Sequence, residues 1–364
     1  MSSLYSFSRV GFGVAGTCRQ AGGPQFQKTL CLLIKVIWEV EIYPYDWSKA
    51  LVQAIYKGDA KPRVDPASYR GIYLTCMTTK LFEGILNHRL TEFTTRQESL
   101  TPYQFGSKKG FQTHDAIYTL LATIRNNQQF DKTPTYCAFI DFSTAYPSVH
   151  RNRLSSILHD HNIQGKMWRL LTGTYQLVQV RVLHPLLGPN RFTPIQRGLP
   201  EGSRLSPILF GIFMSELLRQ LQKDFPHAHT YTSKGNTWLG AIAYVDDLVL
   251  ISKSPHELQA MLNTCQSWCE KSRVEINLEK TKIMIFNSRL QQTSRQPSHT
   301  WSITAQYLPR DHPQKITTLK VVDSFKYLGV PIDKDLAMGP LHTLIRDNIQ
   351  KVNGKLQGLL RERP

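Results

Sequence analysis

Ala241-Ile242-Ala243-Tyr244-Val245-Asp246-Asp247-Leu248-Val249-Leu250-Ile251 places two adjacent carboxylates inside an otherwise apolar run. An ionised carboxylate taken out of water must be paired, hydrogen-bonded or bound to a metal. The run has no Gly, Pro or Asn, the residues that usually mark a turn. Two readings fit. The pair is either the solvated tip of a hairpin or a metal-binding tip between two buried strands. An isolated pair favours the first. A third carboxylate and a substrate-handling loop elsewhere in the chain would favour the second.

Tyr136-Cys137-Ala138-Phe139-Ile140-Asp141 supplies that third carboxylate, at the end of an apolar strand. Two divalent ions about 3.5–4 Å apart need carboxylates from separate elements, and in-line phosphoryl displacement is their usual task. Asp141 and Asp246 are the proposed ligands. Side chains alternate along a strand, so Asp246 and Asp247 cannot both point one way on regular backbone; Asp247 is the looser ligand or the support. Taken alone, Asp141 reads equally well as a helix or turn cap. Between the acids lies Gln196-Arg197-Gly198-Leu199-Pro200-Glu201-Gly202-Ser203-Arg204-Leu205-Ser206-Pro207. Gly198 and Gly202 let backbone approach a ligand closely, and the loop feeds a helix N-terminus. By itself it also fits an ordinary strand-to-helix connection.

The bulk numbers agree with a polyanionic partner. The chain has 364 residues, with 44 Lys and Arg against 27 Asp and Glu, a formal charge of +17. Each neutralised phosphate releases counterions, so nucleic acid is the first expectation and an anionic membrane surface the second. The length allows two to three structural units. Six scattered Cys with no C-x-x-C argue against a zinc ribbon or disulfide framework. Cys265 and Cys269, four apart, fit one buried helix face. No apolar stretch reaches transmembrane length, and residues 1–27 lack a signal-peptide core. A reducing, intracellular, non-secreted setting follows as the expectation.

Residues 1–27 read as a poorly ordered tail. Leu30, Leu33, Ile34, Ile37 and Trp38 give Lys28–Glu41 helical spacing, and Leu51–Tyr56 reads as a strand followed by a basic loop. Helices are expected near 78–93, 115–125, 151–163 and 166–177, and a strand pair at 179–183 and 191–196. Ser206-Pro207 opens a helix, and Ser254-Pro255-His256-Glu257 is a capping box opening another that runs to about Lys271. Glu275–Phe286 alternates as a strand, residues 287–318 read as a polar surface insertion, and Phe325–Ile332 closes the pattern before a basic end segment. The organisation is α+β, an antiparallel sheet with helices on one face.

The ordered motifs of the chain resemble the reverse transcriptase of LINE-type (non-LTR) retrotransposons. They begin with Asp46-Trp47, Tyr56-Lys57-Gly58-Asp59, Ser68-Tyr69-Arg70-Gly71-Ile72, Lys80-Leu81-Phe82-Glu83 and Gln104-Phe105-Gly106. They continue with Phe139-Ile140-Asp141-Phe142, Arg197-Gly198-Leu199-Pro200-Glu201-Gly202-Ser203, Tyr244-Val245-Asp246-Asp247, Glu279-Lys280-Thr281 and Tyr327-Leu328-Gly329. The match covers about residues 28–332. It implies a right-hand polymerase fold: an N-terminal helix and fingers over 28–135 and an antiparallel-sheet palm over 136–332. The reverse transcriptase region is then about 42–332. Residues 333–364 are the start of a thumb or C-terminal segment, with the thumb largely missing.

The implied activity is RNA-directed DNA polymerisation: a DNA primer extended with dNTPs on an RNA template, using two Mg²⁺ ions, or Mn²⁺ in their place. Asp141 and Asp246 match the metal-binding acids, Asp247 their partner, and the carbonyl of Phe142 faces an ion. Tyr146 matches the aromatic residue under the incoming sugar. Lys57 and Arg70 match residues that hold the triphosphate, Gly202 and Glu201 lie beside the nucleotide, and Lys280 matches the lysine that protonates pyrophosphate. Four departures stand out. Pro147 replaces a common Asp, and Glu201 replaces a Gln. Arg204 replaces a Pro and is the cation that would balance Glu201. Ser107-Lys108-Lys109-Gly110 replaces an Arg-Pro-Gly pattern. The resemblance also implies a setting in nucleus and cytoplasm, and a polymerase piece of a larger element protein. The alternative is a decayed or repurposed copy that binds RNA without catalysis. An intron maturase or retron enzyme fits the Tyr69–Ile72 and Lys80–Glu83 wording less well.

Overall fold

The computed structural model describes residues 15–58, 62–183, 191–232, 235–287, 300–304 and 316–337, with 339, 343 and 346. In chain order the first elements are α1 (Ala15–Val40), β1 (Lys49–Tyr56), β2 (Tyr69–Leu74), α2 (Met77–Arg96) and α3 (Thr113–Asn126). Next come β3 (Thr135–Ile140), β4 (Phe142–Ser143), α4 (Ala145–Ser148), α5 (Arg151–Asp160) and α6 (Gly165–Gln176). Then follow β5 (Gln179–Leu183), β6 (Thr193–Pro194), α7 (Ser206–Asp224), β7 (His229–Thr232) and β8 (Gly235–Trp238). β9 (Ala241–Tyr244), β10 (Asp247–Ser252), α8 (Pro255–Ser272), β11 (Glu275–Ile276) and β12 (Lys282–Phe286) come after them. The last are β13 (Ser302–Thr304), β14 (Ile316–Thr318), β15 (Lys320–Val321), β16 (Ser324–Tyr327) and β17 (Val330–Asp333). No helix among the described residues is long and apolar enough to cross a membrane.

Two compact units emerge. The first joins the residues up to Pro102 with Thr144–Glu216 and Lys271–Glu275; the second joins Tyr103–Ser143, Leu217–Glu270 and the residues from Ile276 onward.

In the first unit, α1 buries Ile34 and Ile37, whereas Leu33 of the expected apolar stripe is 42% exposed. The tail expected over 1–27 is helical from Ala15, with a break at Gly23 (φ 63°, ψ 177°) just before Pro24; residues 1–14 lie outside the described residues. Glu39 of α1 and Glu41, just beyond its end, pair with Lys166 and Arg169 of α6. The sheet runs β2-β1-β5-β6. β1 and β2 form an antiparallel hairpin that sets Ile55 opposite Arg70. The expected pairing of β5 with β6 is present, and β5 also joins β1 in parallel. Helix α2 places Phe82, Leu86 and Leu90 on one buried stripe, and it buries Glu83 as well.

In the second unit the sheet order is β15-β12-β3-β10-β9. β3 is the central strand, buried at all six positions, so both of its faces are covered. Its odd-numbered side chains, Cys137 and Phe139, join Val249, Ile251, Met284 and Phe286 against Ile117, Leu120 and Ile124 of α3. Alternation along β3 therefore fixes which face meets the helix.

Two local expectations need correction. The strand expected over Glu275–Phe286 is two strands, because the Asn277 side chain accepts the Lys280 N–H (3.2 Å) and its carbonyl accepts the Thr281 N–H (2.9 Å). Such an Asx turn competes with the strand. The capping box at α8 is half-formed: Ser254 Oγ accepts the Glu257 N–H (3.5 Å). The return bond from the Ser254 N–H goes instead to Ser252 Oγ (2.9 Å), whose hydroxyl donates to Glu257. Much of 287–318 lies outside the described residues; within it β13 and β14 pair antiparallel, and Trp301 and Ile303 are buried.

Burial pushes the Glu83 carboxyl above the ordinary range, against the opposing pull of the Arg204 N–H, Ser203 and the Arg204 charge. For a raised acid, the penalty of ionisation in the fold is fully present above the folded pKa and absent below the unfolded one. Glu83→Gln should therefore raise the melting midpoint by about 2–4 °C at pH 7.5. The gain should vanish near pH 4, as read by thermal unfolding across pH.

Candidate active site

The acids of the second unit are placed by strand register. Ile140 of β3 pairs with Leu248 of β10, so the antiparallel ladder runs on toward Asp141 and Asp247. The Asp141 backbone is held at both ends: its N–H donates to Thr281 Oγ1 (3.2 Å), and its carbonyl accepts the Asn277 N–H (2.8 Å). Thr281 is fully buried. The same turn brings Lys280 Nζ to 3.4 Å from Asp141 Oδ2. Phe142, buried, opens β4 immediately after the acid.

β9 and β10 form the expected hairpin, with Tyr244 opposite Asp247 and Val245-Asp246 as the two-residue turn. Val245 adopts φ 59°. That left-handed conformation suits glycine; for a β-branched residue it costs about 1–3 kcal/mol and persists only where neighbours impose it. The neighbour is Gln104, fully buried, whose Oε1 accepts the Val245 N–H (2.9 Å) and whose Nε2 donates to the Val245 carbonyl (3.2 Å). Gly106 lies so close that an added Cβ would sit 2.3 Å from the Val245 nitrogen. The turn thus exists without Gly, Pro or Asn because partners outside the hairpin hold it.

Asp247 keeps solvent contact but is partly enclosed. Loss of hydration, then the charges of Asp246 and Asp141, push its carboxyl up to about 6. Asp141, Asp247, Glu279, Lys280, Phe325 and Tyr327 are among the residues lining a cavity of about 340 Å³. Among the described residues no three Asp, Glu, His or Cys side chains converge into a ready metal cage. The donor set still fits a hard divalent cation: three carboxylates near enough to repel one another, offset by the Lys280 ammonium on Asp141. Tyr327 lines the same cavity, and its buried hydroxyl has no hydrogen-bond partner among the described residues.

The first unit gathers the other expected site residues. Tyr146 stacks on Phe210 with ring centroids 5.0 Å apart. Its carbonyl accepts the Leu199 N–H (2.8 Å), and the Gly198 N–H reaches the Val149 carbonyl (2.9 Å). Gly198 has φ 88°, and a Cβ there would lie 2.7 Å from the Pro147 carbonyl oxygen. Arg151, buried, donates to the carbonyls of Gly198 (3.0 Å), Tyr175, Ile195 and Arg197 and so fixes the loop from beneath. Gly202 (φ 107°) and Glu201 lie against β2, where the Tyr73 N–H donates to the Glu201 carbonyl (2.8 Å). The Glu201 carboxylate faces Arg70 at 3.8 Å. Arg204, expected as its cation, is not: its backbone N–H donates to Glu83 (3.1 Å) and its side chain extends beside Gly84. Lys57 is tied to its own loop through the Ala67 carbonyl (2.9 Å).

Sequence reasoning did not single out Gln104, Gly106, Thr281 or Arg151 for these roles. A Gln among apolar neighbours is a signal for the first; nothing local marks Arg151, whose carbonyl partners are distant in sequence.

Residues 55–332 match the family described as reverse transcriptase (RNA-dependent DNA polymerase). The chain is 28% identical over 322 residues to the probable RNA-directed DNA polymerase from transposon BS of Drosophila melanogaster, covering 85% of this chain and 32% of that protein. It is 24% identical over 347 residues to the RNA-directed DNA polymerase from mobile element jockey of the same organism, covering 92% and 34%. The chain thus spans about a third of the length of these curated relatives. The fold is similar to that of an apo telomerase from Candida tropicalis truncated from its C-terminal domain, with TM-score 0.52 and 12% identity, covering 85% of this chain and 59% of that one.

Gly198 answers to both φ and space. Gly198→Ala should lower stability by about 1–3 kcal/mol, the cost of a strained backbone region, in a urea unfolding series.

Proposed function

Because the chain belongs to the reverse transcriptase family, we propose that it carries the RNA-directed DNA polymerase activity of a non-LTR retrotransposon, extending a DNA primer on an RNA template with dNTPs. The observation that carries this reading is the convergence of Asp141 and Asp247 on one cavity, with Asp246 on the adjoining turn.

Asp141 and Asp246, with the Phe142 carbonyl and more loosely Asp247, would hold two Mg²⁺ ions, or Mn²⁺ in their place. Bound there, the ions supply activation of the primer hydroxyl and charge neutralisation at the phosphates. The protein's own residues do the rest. Asp141 and Asp246 present anionic oxygens from separate elements. Lys280 Nζ, beside Asp141, holds a proton that it delivers to the departing pyrophosphate. Arg70 binds the triphosphate through its planar fork, with Lys57 as a second positive charge on the same hairpin. Glu201 and Gly202 line the nucleotide side of the loop, and Glu201 holds Arg70 until phosphate takes its place. The Tyr146 ring, braced by Phe210, fills the space a 2′-hydroxyl would need. The excess positive charge suits the template-primer backbone. The setting implied is intracellular, in nucleus and cytoplasm.

Purified protein should extend oligo(dT) on poly(rA) with dTTP and Mg²⁺ or Mn²⁺. Asp246→Asn should cut extension by at least about 10³-fold, a loss on the scale of removing a main electrostatic stabiliser, with template binding nearly unchanged. Activity near the parent's would remove Asp246 from the metal site. No product from folded protein across these conditions would favour the RNA-binding reading.

Tyr146→Ala should admit ribonucleotides, narrowing the dTTP-over-UTP preference in kcat/KM by at least about tenfold. An unchanged preference in single-nucleotide incorporation would reject the ring as the sugar gate.

A further inference from the structure

The turn that carries Asp246 is held from outside the hairpin. Residues 103–106 run beside β9: the Ala243 N–H donates to the Tyr103 carbonyl (2.9 Å), and the Phe105 N–H to the Ala243 carbonyl (2.8 Å). Those bonds fix the Gln104 backbone, and its side chain reaches along the hairpin to Val245. There the carboxamide imitates a peptide group, accepting the Val245 N–H at one end and donating to the Val245 carbonyl at the other. Its oxygen also accepts the Gly106 N–H (3.0 Å). Gln104 is wholly buried, so water does not compete for these bonds.

We infer that Gln104 is a positioning residue: its carboxamide locks Val245 in the left-handed conformation and thereby sets where Asp246 presents its carboxylate. The inference rests on the reading of Asp246 as a metal-binding acid. Three observations converge on it. Val245 is β-branched at φ 59°, a conformation that a two-residue turn ordinarily gives to glycine. Both Val245 backbone polar groups go to one side chain. Gly106 makes room for that approach, since a Cβ would lie 2.5 Å from Val245 Cγ2 as well as 2.3 Å from its nitrogen. Only a side chain with an acceptor and a donor at this spacing completes the pattern. Asn has both but is one methylene short; Leu has neither.

The test pairs Gln104→Leu with the double variant Gln104→Leu/Val245→Gly in the full chain. Glycine adopts the left-handed conformation freely, so it should relieve the need for the clamp. Two readouts need no polymerase activity: equilibrium Mn²⁺ binding without nucleic acid, and hydrogen exchange at the Val245 amide in metal-free protein. In Gln104→Leu, amide protection should fall by at least about tenfold. Mn²⁺ affinity should fall about tenfold. In the double variant most of the Mn²⁺ affinity should return, because position 245 regains its shape without the carboxamide. If Gln104→Leu does not give a cooperative thermal transition, Gln104→Asn replaces it and is held to the same outcomes.

A folded variant that keeps both Val245 protection and Mn²⁺ affinity would overturn the inference. So would a double variant that binds Mn²⁺ no better than the single one, which would reduce Gln104 to packing. A parent protein that binds no Mn²⁺, while its variant loses Val245 protection, would reject the metal reading of Asp246 but support the clamp.

Discussion

Strand β3 is hydrogen-bonded along both edges and covered on both faces, and the acid site depends on that confinement. With β10 on one side and β12 on the other, its register cannot slip by one residue without turning Cys137 and Phe139 away from α3. The strand end is therefore a fixed point, and Asp141 is the first residue beyond it. β10 brings Asp247 toward Asp141 through the same ladder that pairs Leu248 with Ile140. The turn before β12 brings Thr281 to the Asp141 N–H and Lys280 to its carboxylate. A dry sheet thus delivers these charged groups where it ends, on an open cavity.

The sequence made this much legible. Apolar runs ending in Asp141 and interrupted by Asp246-Asp247 mark strand ends, because period and polarity are local properties. The helix opened by Ser206-Pro207 and the β16–β17 closure at Tyr327-Leu328-Gly329 were readable for the same reason. Partner identity was not. Glu201 asks for a cation, and the neighbour Arg204 is the natural candidate along the chain; the β1–β2 hairpin supplies Arg70 instead. Pairing of β1 with β5 in parallel spans more than a hundred residues, and no local pattern records it. The Val245 turn hid for a related reason. Turn chemistry is normally written in the turn residues themselves. Here it is written in Gln104 and Gly106, far away in sequence.

Within each unit, charged side chains at the expected site residues form weak pairs rather than locked ones. Arg70 and Glu201 stand 3.8 Å apart, with side chains 64% and 24% exposed. Exposed pairs of this kind contribute about 0–1 kcal/mol, so a competing anion at Arg70 has little to overcome. Glu201 offsets the charge of Arg70 and draws it toward the glycine loop. The same logic describes Lys280 on Asp141 at 3.4 Å, a pair in which the lysine partly offsets the acids' mutual repulsion. Glu83 differs: it is buried, held by the Arg204 N–H and Ser203, and burial dominates its titration. Exposed pairs can exchange partners during a reaction; a buried carboxyl of that kind only shapes the fold.

Arg151 shows why irregular backbone can persist at such a place. A buried guanidinium is costly unless its five donors are used, and this one meets four carbonyl groups, three of them at Ile195, Arg197 and Gly198. Those three lie in the connection between β6 and α7, where the left-handed Gly198 sits, and Arg151 supplies their carbonyls with a donor. Arg151 supplies donors to carbonyls as Gln104 supplies both donor and acceptor to Val245. In each unit a backbone segment near proposed chemistry departs from regular geometry, and in each a buried polar side chain from elsewhere takes the place of the missing strand. Regular sheet fixes Asp141; borrowed hydrogen bonds fix the turn and the loop. The second device permits backbone shapes that a ladder forbids, and its cost is dependence on a few distant residues whose loss no local rearrangement repairs.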